Sequence, residues 1–227
     1  MKKELLVTLL KEPFYDVMGF DNESKGTTFN KISNEELLKF FVYLSNNSVT
    51  IPRHLADYDK NYASFKQFIG YIVVLNKESK EIFAYKRLEG SGAKDLVGQV
   101  SFGVGGHSQP VISEDEEGNP VNGSGVDIFM DNFKREFNEE LSYDLDADSG
   151  ALLSVLGMVN DDTPNSIGVV HTGLVVVLDV ANIKDVKVKE TEVLEGFVTN
   201  IKELRAQEKL ESWTKMSLDV VEEYLNN

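Results

Sequence analysis

The 227-residue sequence contains no cysteine, and only one tryptophan, three histidines and five prolines. Without cysteine a chain forms no disulfide, thiolate zinc site or iron–sulfur cluster, and it has no cysteine nucleophile. Apolar runs are short as well: Leu5–Leu10 is followed at once by Lys11, whereas a membrane helix needs about 20 apolar residues. The same run is too short and too charged for a signal peptide. We therefore expect a soluble, cytoplasmic protein with no membrane segment.

Positive charge is also scarce. The chain has 23 Lys and Arg against 38 Asp and Glu, which gives a formal net charge of −15. A protein that coats nucleic acid or an anionic membrane needs a basic surface that displaces counterions from phosphates. The composition therefore excludes long nucleic acid and membranes as expected partners. With 41% hydrophobic and 10% aromatic residues, it is nevertheless the composition of a globular protein, not of a disordered chain.

The negative charge is concentrated in one part of the chain. Between Ser113 and Asp148 there are twelve acidic residues and only two basic ones, Lys134 and Arg135. The stretch 113–120 is polar, ends in turn residues and lacks apolar periodicity. We predict a solvated loop or hairpin tip there.

The residues that follow have the periodicity of an amphipathic helix. Apolar residues recur every three or four positions and share one side of a helical wheel. Asp127 or Ser124 could serve as the N-cap, because either side chain can accept a hydrogen bond from the first-turn amides. We predict a helix over Asp127–Leu141 whose buried side comprises Phe129, Met130, Phe133, Phe137 and Leu141.

Other segments have the composition of strands or helices. Two runs, Phe68–Leu75 and Glu81–Leu88, are joined by five polar residues and predict a hairpin. A third run, Leu96–Val104, leads into a glycine-rich turn. We predict further strands over 151–159 and 167–180, and helices over 34–44, 200–209 and 214–225.

Three glutamates of the predicted central helix lie on one face. Glu136, Glu139 and Glu140 occupy positions i, i+3 and i+4, which fall within an arc of about 100°. Such like charges disfavour a helix by a few tenths of a kcal/mol per pair, and Arg135 alone cannot neutralise all three. A divalent cation could, and a carboxylate site without cysteine selects Mg²⁺ or Mn²⁺ rather than zinc. For this segment alone, a solvated acidic face is the commoner interpretation.

The glycine-rich turn and the acidic helix together resemble the signature of the Nudix hydrolases. That signature has an opening glycine, a glutamate, then Arg-Glu, Glu-Glu and a final glycine at fixed spacing. Four residues match its central part: Arg135, Glu136, Glu139 and Glu140. Gly106 would be the opening glycine, provided that 15 residues are inserted after it.

Phe137 takes the aliphatic position of the signature, and two positions depart from it. Asp127 replaces the first glutamate, and Ser142 replaces the final glycine. The change to aspartate is chemically mild. The serine removes the usual left-handed residue at the helix end, which costs about 1 kcal/mol unless the helix terminates differently.

The resemblance covers roughly residues 67–204 and implies a fold and a domain organisation. The implied fold is a Nudix-type α/β/α sandwich with a mixed sheet, plus an N-terminal helical extension. We assign 1–66 to that extension, packed on the main domain. The Nudix domain would span 67–227, with an acidic insertion near 108–124 and C-terminal helices. The sequence looks most like bacterial Nudix proteins predicted to be phosphoesterases.

The resemblance also implies a reaction. Nudix enzymes use Mg²⁺, or Mn²⁺, to hydrolyse a diphosphate that links a nucleoside or similar small molecule to another moiety. The implied metal ligands are Glu136, Glu139 and Glu140, with the Gly106 carbonyl joining them, and Arg135 would orient the glutamates. Family analogy favours a homodimer.

Further residues are candidates with an alternative role each. In the family the general base is a glutamate of the signature or an acid of a later loop; Glu192 is our candidate, with Glu190 and Glu195 beside it in sequence. Arg87 could bind phosphate or simply face solvent. His107 could contact the ligand or only close the glycine turn. His171 is best explained as a structural residue, a hydrogen-bonded histidine of the sheet.

Two other functions are compatible with the same resemblance. The chain could be a non-catalytic Nudix-like module that binds a diphosphate ligand for regulation. It could also be a diphosphate isomerase, but the commonest form of that enzyme relies on a cysteine, which this chain lacks. All three signature glutamates are present, which favours the hydrolase.

Overall fold

In the computed structural model, the described residues are 4–20, 28–56, 64–90, 94–115, 117–162 and 167–227. They form a mixed α/β fold with a multistranded sheet, which confirms the predicted fold class. No helix in these ranges is long and apolar enough to cross a membrane. The helices found there are α1 (Lys11–Met18), α2 (Asn34–Asn47), α3 (Arg53–Ala56), α4 (Gly125–Glu140), α5 (Ile201–Arg205) and α6 (Ser212–Asn226).

The predicted strands occur in the predicted order within the described ranges, with additions in the first third of the chain and after the central helix. They are β1 (Leu5–Leu10), β2 (Thr28–Lys31), β3 (Val49–Pro52), β4 (Phe65–Asn76), β5 (Glu81–Arg87), β6 (Val100–Ser101), β7 (Gly103–Val104), β8 (Ile112–Glu114), β9 (Pro120–Asn122), β10 (Leu141–Ser142), β11 (Leu152–Asn160), β12 (His171–Asp179), β13 (Lys187–Val188) and β14 (Leu194–Thr199).

The chain divides into two compact units. The first unit comprises 1–70, 106–134 and 157–174, and the second comprises 71–105, 135–156 and 175–227. Three strands, β4, β11 and β12, and the helix α4 each contribute residues to both units.

The first unit contains strands that the sequence did not predict. We expected the first 66 residues to be a helical extension, but β1 pairs antiparallel with β3 and with β4, where Thr8 faces Gln67. The run Leu5–Leu10 forms strand β1, and the central four residues of this strand are all buried. An aromatic cluster packs beside it, with the Phe40 ring 6.2 Å from Phe14 and 5.2 Å from Phe68.

Helix α4 begins two residues earlier than predicted, and Ser124 is its cap. The Ser124 hydroxyl accepts a hydrogen bond from the Asp127 amide at 3.2 Å, and the Asp127 carboxylate accepts one from the Ser124 amide at 2.8 Å. This reciprocal pair is a capping box. Asp127, which stands at the first glutamate of the Nudix signature, is therefore engaged in capping at the helix start.

The C-terminal end of α4 explains how the chain dispenses with the final glycine of the signature. The helix ends at Glu140 and continues directly into β10, which pairs with β13. The Lys189 amide donates to the Glu140 carbonyl at 2.8 Å, and the Lys189 ammonium donates to the Asn138 carbonyl. Because these groups satisfy carbonyls that a helix end leaves unpaired, no left-handed residue is needed at Ser142.

The second unit is built on antiparallel pairs around β5. Strand β5 pairs with β14 from Arg87 opposite Leu194 to Ile82 opposite Thr199, and with β6 at its other edge. The predicted hairpin between β4 and β5 is confirmed, since Leu75 faces Ile82. In this way Arg87 becomes the last residue of a central strand.

The predicted acidic hairpin is also present. Strands β8 and β9 pair from Ile112–Asn122 to Glu114–Pro120. At the tip, one Asp115 carboxylate oxygen accepts from the amides of Asn119 at 2.7 Å and Glu117 at 3.1 Å. These hydrogen bonds order the turn, and Glu117 there is exposed to solvent.

Asn132 links α4 to two neighbouring backbone segments of the first unit. Its side chain is almost fully buried. The Asn132 amide nitrogen donates to the carbonyls of Gly106 at 3.3 Å and His107 at 3.1 Å, and its oxygen accepts from the Gly70 amide at 3.3 Å. One side chain therefore satisfies three buried or partly buried backbone groups.

We predict that Asn132→Ala lowers the free energy of unfolding by about 2–3 kcal/mol, because it leaves those backbone groups without partners. Denaturant titration measures the change. The matched control is Asn138→Ala, an exposed position on the same helix, where a shift within about 0.5 kcal/mol is expected. Equal effects of the two substitutions would contradict the role of Asn132.

Candidate active site

The acidic face of α4 is only partly exposed. The helix packs through fully buried Phe137, and Glu136 beside it is 7% exposed. Glu139 lies towards solvent, with 61% of its side chain exposed. Arg135 bridges the two, with its Nη1 atom 2.6 Å from Glu136 Oε1 and 3.1 Å from Glu139 Oε2. Arg135 therefore contacts two of the three signature glutamates.

Glu140 lies in an unfavourable environment for a carboxylate. Burial is the main cause and the charge of Glu136 the next, and together they raise the pKa of Glu140 to about 8, although Arg87 acts in the opposite direction. A carboxyl group with so high a pKa is held beside other negative charges without enough compensation. A bound cation would remove that penalty.

Arg87 is held rigidly at the end of β5. Its Nε atom donates to Glu211 Oε1 at 2.7 Å, and its Nη2 atom donates to the Tyr85 hydroxyl at 3.3 Å. The Tyr85 hydroxyl in turn donates to the Gly103 carbonyl at 2.8 Å. Arg87 and Glu211 are both mostly buried, so this ion pair is a structural part of the second unit.

The local charge balance around Glu140 is negative. Besides Glu136, the charges of Glu190 and Glu211 also raise the pKa of Glu140. Glu190, one of the three acids considered for a general base, is therefore among the charges that act on Glu140. Glu192 lies exposed in the turn before β14, and Glu195 is exposed on that strand.

The donor chemistry of this face fits a hard divalent cation. Glu136 and Glu140 offer only carboxylate oxygens, and a cation of the Mg²⁺ type prefers such ligands. Among the described residues, however, no three histidine, cysteine or acidic side chains are already gathered as a metal cluster. Glu139 is the member that stands apart, because it is turned to Arg135 and solvent.

The other predicted site residues belong to the first unit. The Gly106 carbonyl accepts a hydrogen bond from Asn132, and His107 forms an isolated bridge with Ile69 of β4. The imidazole of His107 lies against that of His171, with 3.1 Å between their Nε2 atoms. His171 is thus a hydrogen-bonded histidine of the sheet, as predicted.

A surface cavity of about 710 Å³ lies beyond the C-terminal end of α4. It is bordered by residues such as Ser142, Tyr143 and Asp148. None of the predicted site residues lines it. The Asp148 carboxylate in its wall already accepts hydrogen bonds from the Tyr143 hydroxyl at 2.6 Å and the Ala181 amide at 2.9 Å. We therefore place the site at the carboxylates of α4 and not in this cavity.

Three residues near the candidate site were not found from sequence. Tyr85 could have been, because it lies two residues before Arg87 and so shares its side of a strand. Glu211 comes from the start of α6, about 120 residues away from Arg87 in sequence, and no local signal marks it. Asn132 has the appearance of an ordinary polar residue of an amphipathic helix.

Comparison with known proteins identifies the fold. No model of a protein family matches the chain. Protein YmaB of Bacillus subtilis is 35% identical over 161 residues, which are 70% of this chain and 72% of YmaB. The crystal structure of Tm1382, assigned as a Nudix hydrolase, has a TM-score of 0.70 at 24% identity and covers 98% of this chain and 99% of Tm1382.

A more distant structure is the NUDIX domain of Shewanella oneidensis NrtR in complex with ADP ribose. Its TM-score is 0.48 at 12% identity, over 76% of this chain and 97% of that domain. The likeness to Tm1382 shows that this chain has the fold of that protein, and α4 carries the Arg-Glu and Glu-Glu pairs. The chain belongs to the family of protein YmaB.

The raised pKa of Glu140 predicts a pH dependence of the metal-free protein. Between the ordinary pKa of a glutamate, 4.5, and about 8, folded Glu140 keeps a proton that the unfolded chain releases. Its contribution to stability is therefore present at low pH and is lost as the pH rises through about 8.

Glu140→Gln should remove that contribution, because glutamine cannot ionise. The measurement is the unfolding free energy of both proteins with a chelator present, from about pH 5 to about pH 8.5. We expect Glu140→Gln to gain stability relative to the original protein as the pH rises. Glu208→Gln, an exposed control, should follow the original protein. A constant difference at all pH values would show that Glu140 titrates normally.

Proposed function

We propose that the protein hydrolyses the diphosphate bond of a nucleoside diphosphate linked to another moiety, or of a similar small molecule, in a Mg²⁺-dependent reaction. The observation that carries the proposal is the pair Glu136 and Glu140 on α4. Glu136 is buried and Glu140 is partly buried, and burial together with the charge of Glu136 raises the pKa of Glu140. On a Nudix fold, this arrangement is best explained as a cation site.

Glu136 and Glu140 would hold the metal, with Glu139 as a further ligand. Bound Mg²⁺ or Mn²⁺ would neutralise phosphate oxygens and lower the pKa of the attacking water. A diphosphate is itself strongly anionic, so the carboxylate face would repel it in the absence of the cation.

The neighbouring residues of the chain would have positioning and binding roles. Arg135 holds Glu136 at 2.6 Å and so orients its carboxylate. Arg87, fixed by Glu211 and Tyr85, would bind a phosphate oxygen through guanidinium hydrogens that these partners do not use. Glu190 is a candidate general base beside Glu192, because its charge is among the influences on Glu140.

The test is turnover of a substrate panel with Mg²⁺ and with Mn²⁺. The panel comprises nucleoside diphosphate sugars, dinucleoside polyphosphates, ADP-ribose and oxidised nucleotides. We expect release of phosphate or nucleotide from at least one class. Glu136→Gln, Glu139→Gln and Glu140→Gln should each lower kcat by about 100-fold or more, because each removes a charged metal ligand.

Glu208→Gln is the matched control, since it makes the same chemical change at an exposed position of the second unit. It should keep the original rate. Absence of turnover combined with tight binding of a panel member would indicate the non-catalytic module instead. Unchanged rates in all three α4 variants would mean that the acidic face is only a solvated surface.

A further inference from the structure

Two of the three histidines of the chain face each other in the first unit. His107 follows Gly106, and His171 is the first residue of β12. Their Nε2 atoms are 3.1 Å apart, and the ring planes meet at 53°. His171 is 9% exposed, so this contact is largely withdrawn from solvent.

The protonation chemistry of this contact allows one proton between the two rings. A neutral imidazole carries a single N–H, so one Nε2 donates and the other accepts. A metal ion can take the place of that proton, because a neutral imidazole nitrogen is a common metal ligand. With metal–nitrogen bonds of about 2.0–2.1 Å, two cis ligands are separated by about 2.9 Å at a right angle and about 3.3 Å at the tetrahedral angle. The observed 3.1 Å lies between these values.

Hydrogen bonds hold the backbone at His107. The His107 carbonyl accepts from Asn132, and the next residue, Ser108, donates its amide to the Phe68 carbonyl at 3.0 Å and accepts from the Val7 amide at 2.8 Å. A ligand whose backbone is fixed in this way needs less reorganisation to bind an ion.

A buried oxygen on the same side of the sheet lacks a partner. Ile69 is opposite His107, and opposite residues of an antiparallel bridge share a face. Gln67 is two residues from Ile69 and so shares that face as well. Gln67 is 3% exposed, and within the described part of the chain its Oε1 atom accepts no hydrogen bond. Gln67 therefore presents a polar acceptor on the face of the sheet that carries His107.

We propose that His107 and His171 form a binding site for a transition-metal cation of the Zn²⁺, Co²⁺ or Ni²⁺ type. The two Nε2 atoms are the protein ligands, and water or an anion completes the coordination. Imidazole ligands select such ions, in contrast to the carboxylates of α4, which select Mg²⁺. The proposal does not depend on the hydrolase activity.

The experiment is histidine-selective NMR of the full chain during a Zn²⁺ titration in excess Mg²⁺, which keeps the carboxylates occupied. The third histidine, His54, is exposed on α3 and serves as the internal control. We expect the Nε2 signals of His107 and His171 to shift together and to saturate at one Zn²⁺ per chain, while His54 stays unchanged. Shifts of equal size at all three histidines, or none at His107 and His171, would overturn the proposal.

Matched variants give a second measurement by calorimetry. His107→Gln and His171→Gln should each weaken Zn²⁺ binding by about tenfold or more, whereas His54→Gln should bind like the original protein. Thermal unfolding checks that each variant is folded. If the folded His107→Gln and His171→Gln proteins bind Zn²⁺ with the original affinity, the contact between the two rings is only a hydrogen bond and the proposal is wrong.

Discussion

The repulsion between Glu136 and Glu140 is the constraint on which the candidate site depends. Helical geometry places these carboxylates on one face, and the packing of Phe137 brings that face towards the protein interior. Burial disfavours the charged form of Glu140, the charge of Glu136 adds to this effect, and the pKa of Glu140 rises to about 8. Arg87 acts in the opposite direction, but its partner Glu211 raises the pKa of Glu140 again. The proposed cation would offset the remaining negative charge, which makes the site and its metal parts of one electrostatic arrangement.

Both ends of α4 are fixed by groups other than its three signature glutamates. Ser124 and Asp127 satisfy amides at its start, while Lys189 satisfies carbonyls at its end. A helix held in this way can tolerate like charges that would destabilise it in isolation. The strand pairing after Glu140 also explains how serine replaces the glycine of the signature without a left-handed residue.

Local periodicity accounts for what was predictable. The 3.6-residue repeat located α4, and the alternating strands around the Asn76–Lys80 turn located the β4–β5 hairpin, because both signals lie within a few residues. Strand β1 was missed, since its partners lie about 40 to 60 residues away and no local pattern encodes that pairing. Glu211 was missed for the same reason: it meets Arg87 only after folding. The facing of His107 and His171 is likewise a product of strand register.

The central claim is that the carboxylates of α4 bind a divalent cation. The most direct measurement is the Mn²⁺ affinity of the original protein and of the double variant Glu136→Gln/Glu140→Gln, from the electron paramagnetic resonance of free Mn²⁺. We expect the original protein to bind Mn²⁺ and Mg²⁺ to displace it. The double variant should bind Mn²⁺ about 100-fold or more weakly, because two charged ligands are removed. Equal affinity in the two proteins would contradict the central claim.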